Sequence, residues 1–118
     1  MIKLFAIIGV AILSISGVAR AVEPDAKTIR VFQSKCGSCH GDDGTGATTK
    51  GKELGLKSMA SAEWQKGITD AKIREAIANG ATGKRPDGKE SKMDAYAEKL
   101  KPEQIDALVA YVRSLGPK

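Results

Sequence analysis

The sequence predicts an all-α protein in which three main helices, joined by short helices and long loops, wrap around one large prosthetic group. Three observations carry this expectation. Apolar residues recur at three-four spacing in separated stretches, and no stretch keeps the two-residue alternation of a half-buried strand. Beyond residue 21 the aromatic residues are Phe32, Trp64, Tyr96 and Tyr111, so a packed core needs another large apolar body. Both cysteines and the one histidine stand together as Cys36-Gly37-Ser38-Cys39-His40.

The spacing Cys-x-x-Cys-His is that of a c-type haem attachment site. Two thiols add to the haem vinyl groups, and the adjacent imidazole reaches the iron. Three plainer readings compete. A thioredoxin-like pair would use Cys36 and Cys39 but requires a βαβ setting. A structural zinc site needs four ligands, where this motif offers three. A disulfide would close a very small loop and leave His40 without a role. Haem accounts for all three residues at once.

Residues 1–21 read as a secretory signal peptide. Lys3 gives a positive start, Leu4 to Ala19 is almost wholly apolar, and Ala19-Arg20-Ala21 is a small-x-small cleavage site. An uncleaved membrane anchor is the lesser, competing reading, since the apolar run is short for a bilayer span, which needs about 20 residues, and Ser14 and Ser16 interrupt it. The expected mature chain, 22–118, has room for one small domain, exported to the periplasm and without stable membrane insertion. Loss of Lys3 and Arg20 takes the formal charge from +5 to +3. With no basic clusters interleaved with aromatics, the chain is not expected to bind nucleic acid.

Pro24 and Asp25 open a first helix that runs to Lys35, carries Ile29 and Phe32 on one face, and leads into the motif. Cys36 then shares a side with Cys39 and His40, three and four residues on. Gly41 to Lys57 is glycine-rich without apolar period and reads as a loop. A calcium loop begun at Asp42 would need oxygen ligands where Gly44 and Gly46 stand. Leu54, Leu56, Met59 and Trp64 fall in irregular or short helical chain as core contacts. A second main helix spans Thr69 to Asn79, with Thr69 as N-cap, a stripe of Ile73, Ala76 and Ile77, and Gly80 as its stop. Gly80 to Lys92 is a long polar loop, and Asp94 to Leu100 is expected to form a short helix carrying Tyr96. Pro102 opens the last helix, whose stripe is Ile105, Leu108, Val109 and Val112, and Gly116-Pro117 ends it.

With CGSCH behind a leader, the continuation CHGDDGTG, an isolated methionine after a polar loop and a terminal helix reading EQIDALVAYVRSL, the chain resembles class I cytochromes c of the small bacterial periplasmic type. The resemblance covers residues 22–118. It implies the cytochrome c fold around one covalently bound haem c, with Cys36 and Cys39 as thioether anchors, His40 as proximal iron ligand and Met93 as distal ligand. It also implies a contact between Phe32 and Tyr111. The chain departs from the family pattern at Asp94, where proline often follows the methionine, and at Thr28, where glycine is common. No proline lies between His40 and Arg85, so the carbonyl that orients the imidazole is expected from Gly46 or a neighbour.

Met59 and Met93 are the two candidates for the sixth position. Met59, between Leu56 and Trp64, reads as core filler. Met93 ends a polar loop with no apolar stripe to join, so a specific partner explains it better. An iron with two protein ligands moves electrons and leaves no site for substrate, so the chain is not expected to be an enzyme. The first functional reading is a soluble periplasmic electron carrier between respiratory or dehydrogenase donors and an oxidase or reductase. The second is a haem-bearing subunit of a larger oxidoreductase. The third, an open-site haem sensor or enzyme, requires Met93 not to bind. Lys84, Arg85, Lys89, Lys92 and Lys99 are the candidate contacts to acidic redox partners.

Overall fold

A computed structural model describes residues 23–118, with Ala11 and Gly17 besides; the leader expected over residues 1–21 and its cleavage site lie outside the described stretch. Helix α1 (Ala26–Lys35) starts where the Asp25 carboxylate accepts the Thr28 N–H at 2.7 Å. Its inner face buries Phe32 and Thr28. The one-turn helix α2 (Gly37–His40) follows at once. Helices α3 (Thr49–Leu54) and α4 (Ala62–Gly67) are short, each capped by the hydroxyl of the residue before it, Thr48 and Ser61. In α5 (Asp70–Asn79) the Thr69 hydroxyl accepts the Lys72 N–H, and Ile73 and Ile77 are buried.

The last helix, α6 (Pro102–Ser114), is the spine of the core. Proline at its first position and the Gln104 side chain, which accepts the Lys101 N–H at 2.9 Å, fix its start. Ile105, Leu108, Val109, Tyr111 and Val112 face inward. It packs against α1 and α5. Where it meets α1, the Tyr111 ring stands edge-to-face on Phe32, with centroids 4.8 Å apart at 69°, the contact expected from the sequence. Arg113 clamps the corner between α4 and α5: its guanidinium donates to the carbonyls of Gln65 and Ile68 and to Asp70, each at 2.6 Å.

Three expectations are corrected. The stretch read as a continuous loop from Gly41 contains α3. Its only inward-leaning apolar residue is Leu54, so periodicity is silent, and the signal lies in the caps, Thr48 before it and left-handed Gly55 after it. The polar loop after Gly80 is an antiparallel hairpin, β1 (Ala81–Lys84) with β2 (Glu90–Met93), in which Ala81 faces Met93 and Lys84 faces Glu90. All four residues of β1 are exposed, so no apolar alternation marks it. The turn Arg85-Pro86-Asp87-Gly88, closed by the Gly88 N–H donating to the Arg85 carbonyl at 2.9 Å, was its legible sign. The helix expected over Asp94 to Leu100 is a single turn, because the Tyr96 and Ala97 amides bond instead to the Ile77 and Ala78 carbonyls at the end of α5.

Candidate functional site

Cys36 closes α1, its N–H donating to the Phe32 carbonyl at 2.8 Å, and its own carbonyl then accepts from His40 at 2.9 Å. That single helical turn puts Cys36, Cys39 and His40 on the wall of a cavity of about 390 Å³. Met93, at the end of β2, lines the same cavity. A smaller apolar cavity of about 110 Å³ shares Cys36, His40 and Met93 and is floored by Phe32, Trp64 and Leu108. The four residues singled out by the sequence are therefore brought together.

The motif backbone is fixed from below. The Thr48 hydroxyl donates to the Cys39 carbonyl at 2.7 Å while accepting the Gly51 N–H at 2.8 Å, and the Gly46 N–H donates to the His40 carbonyl at 2.7 Å. A side chain at Gly51 would run into the carbonyls of Cys39 and Gly46, which is why α3 can sit directly against the motif.

Both thiols are free, so the disulfide reading fails for this structure. Burial pushes the Cys36 thiol up to about 11. A thioredoxin-like pair needs a βαβ setting, and the sheet among the described residues is only the two-stranded hairpin, so that reading fails as well. Burial also lowers the pKa of His40, favouring the neutral imidazole that can bind a metal. His40 Nδ1 is buried and has no hydrogen-bond partner among the described residues. The expected carbonyl from Gly46 is not supplied, because Gly46 meets His40 through its amide. Among the described residues no group of three or more His, Cys, Asp or Glu side chains is placed to hold a metal ion, and the Asp43 carboxylate is taken up by Thr45. Two free thiols, a neutral imidazole and a large apolar-walled cavity fit a covalently held haem.

Gly80 decides where Met93 sits. It has φ +79°, and a Cβ there would lie 2.6 Å from the Met93 carbonyl oxygen and 3.4 Å from the Ala95 nitrogen. Gly80→Ala is expected to destabilise the protein by about 1–3 kcal/mol and to displace Met93, read by denaturant titration. Met59 is 6% exposed, with its amide and carbonyl held by Gly44 and Gln65, and it also lines the smaller cavity beside His40 and Met93, so both methionines border the site. Trp64 both packs on the core and lines the apolar cavity.

Nothing along the chain marks the role of Tyr96. Its ring lines the larger cavity, its O–H donates to the Lys35 carbonyl at 3.2 Å, and the ammoniums of Lys35 and Lys99 lie 6.0 and 5.3 Å from its centroid. Of the candidate partner contacts, Lys84, Lys89, Lys92 and Lys99 are exposed and have no ion pair among the described residues. Arg85 differs from them, being half-buried and drawn into an ion pair with Glu53 at 2.6 Å.

Fold and site together define a helical domain that encloses one large apolar group, with two thiols and an imidazole presented on a single helical turn. Residues 26–116 match the family model described as Cytochrome c, and the chain belongs to the cytochrome c family. As a member it carries covalently bound haem c and serves electron transfer. It is 36% identical over 104 residues to the cbb3-type cytochrome c oxidase subunit FixP of Azorhizobium caulinodans, covering 87% of this chain and 31% of that one. It is 31% identical over 106 residues to the cbb3-type cytochrome c oxidase subunit CcoP of Azospirillum sp., covering 89% and 33% respectively. The chain thus spans about a third of the length of these curated relatives. Among solved structures, the KustC0563 c-type cytochrome superposes with a TM-score of 0.63 at 36% identity, over 76% of this chain and 98% of that one.

Proposed function

We propose that this domain relays single electrons as a haem-bearing part of a larger oxidoreductase of the terminal-oxidase type. In this reading Cys36 and Cys39 are the thioether anchors, His40 is the proximal ligand and Met93 the distal ligand. The observation that carries the ligand assignment is the convergence of Cys36, Cys39, His40 and Met93 on one cavity from α1, α2 and β2. Haem bound there supplies a one-electron couple, and the soft thioether of Met93 favours the reduced state. The residues do the rest: Phe32, Trp64 and Leu108 exclude water from one side, while Tyr96 and the hairpin border the other. With His40 and Met93 as ligands no open position is left for substrate, and no second histidine exists in the chain for acid-base work, so the domain is read as an electron relay and not as an enzyme by itself.

Placement in a complex is supported by the relatives, which are named as cbb3-type oxidase subunits. This reverses the order of preference that the sequence alone suggested. The free carrier stays as the second reading, favoured by the KustC0563 c-type cytochrome, which this chain covers almost end to end. Export through the leader to the periplasm belongs to both readings. Among the described residues no helix is long and apolar enough to cross a membrane.

The test is gel filtration of detergent-solubilised membranes from the native host at physiological salt, followed by haem-stained electrophoresis. Co-elution with an oxidase supports the subunit reading, and elution at the size of one small domain overturns it in favour of the carrier. In the carrier case, exchange of Lys84, Lys89, Lys92 and Lys99 for glutamine is expected to slow oxidation by the partner about ten-fold at low salt. That difference should shrink once the Debye length falls to about 8 Å, near 0.15 M salt.

A further inference from the structure

The hairpin that ends in Met93 is held at both ends but poorly in the middle. A two-stranded ribbon is marginal in water, and every residue of β1 is exposed. Its base is secured by Gly80 and by the Tyr96 and Ala97 amides on α5. Its tip reaches α3. There the Arg85 guanidinium meets the Glu53 carboxylate at 2.6 Å, and Pro86 packs on Gly55, where an added Cβ would lie 2.9 Å from the proline Cδ. Arg85 is the most sheltered side chain in any ion pair among the described residues, 22% exposed, and Asp87 approaches the same nitrogen at 3.6 Å.

Between base and tip, these two elements line part of the larger cavity: Leu54 at the end of α3 and Leu56 just beyond it stand with Ala81, Ser91 and Met93 of the hairpin, while Cys36, Cys39 and His40 line it as well. The tip contact therefore closes a ring of chain around the cavity. We infer that Arg85 and Glu53 are positioning residues for the distal side, a clasp that keeps the hairpin shut and Met93 in place. This rests on the reading of Met93 as distal ligand. The clasp touches neither cofactor nor substrate and acts only through the strand that carries Met93. Opening it frees the hairpin tip, and the distal side then opens more often.

The experiment uses the ferric holoprotein and measures the association rate of imidazole, which must wait for the sixth position to open, alongside hydrogen exchange of the hairpin amides. Glu53→Gln and Arg85→Gln are each expected to raise the imidazole rate about five-fold, the effect one partly sheltered ion pair supports, and to speed exchange of the Arg85 and Gly88 amides. The charge-reversed pair Glu53→Arg with Arg85→Glu should return both readouts toward wild type, which a general loss of structure would not do. Lys50→Gln, which removes only the weaker neighbour of Glu53 at 3.5 Å, should change neither. If both clasp variants bind imidazole at the wild-type rate while Met93→Ala binds it much faster, the clasp is refuted and the ligand assignment stands. If Met93→Ala is no faster than wild type, both fall together.

Discussion

Replacing Cys36 and Cys39 together by alanine is expected to abolish covalent haem attachment. The two thiols share one helical turn and one cavity, and neither is tied up in a disulfide. No other cysteine exists in the chain to substitute. The effect should extend to stability, because the side chains that line the apolar cavity, Phe32, Ile77 and Leu108 among them, lose the haem as one of their packing partners. Mass spectrometry after denaturation should show the unmodified polypeptide, where the wild-type chain carries the added mass of one haem. Either single variant should retain one thioether. A double variant that still carries covalent haem would contradict the attachment site outright.

The second large effect is expected at Met93. Met93→Ala leaves both cysteines and His40 untouched, so haem should remain attached. The loss of the thioether should lower the reduction potential by on the order of 0.1–0.3 V, within the roughly 0.8 V that axial ligation spans. Redox titration of the two proteins reads this directly. The same substitution at Met59 should change the potential far less and the stability more, by about 2–5 kcal/mol, because Met59 is 6% exposed in the core. If Met59→Ala caused the larger fall in potential, the two methionines would have to exchange roles.

Much of this was legible in the residues. The helices α1, α5 and α6 announce themselves because their apolar stripes follow the helical period and their starts carry clear signals, the N-caps Asp25 and Thr69 and the first-position Pro102. The cavity wall was legible where chemistry is local: Cys36, Cys39 and His40 are set by spacing alone. What sequence could not show arises from contacts between distant segments. The hairpin is stabilised by its tip on α3 and its base on α5, so its strands need no apolar face and leave no alternation to read. Helix α3 is hidden for a similar reason, since Gly51 is there to let it sit on the motif and dilutes any periodicity. Tyr96 and Arg85 take their roles from partners 61 and 32 residues away, Lys35 and Glu53, which no window along the chain connects. Arg85 in particular looked like one of several exposed cations until Glu53 was seen beside it.

On the proposed reading the iron of this domain has two protein ligands, His40 and Met93. The most direct measurement is the absorption spectrum of the wild-type holoprotein, oxidised and then reduced, before and after adding carbon monoxide. The expected result is a low-spin spectrum with a weak long-wavelength sulfur-to-iron band in the oxidised form, and a reduced spectrum that carbon monoxide leaves unchanged. A high-spin spectrum, or a reduced form that binds carbon monoxide promptly, would mean an open sixth position and would contradict the electron-relay account in favour of an open-site sensor or enzyme.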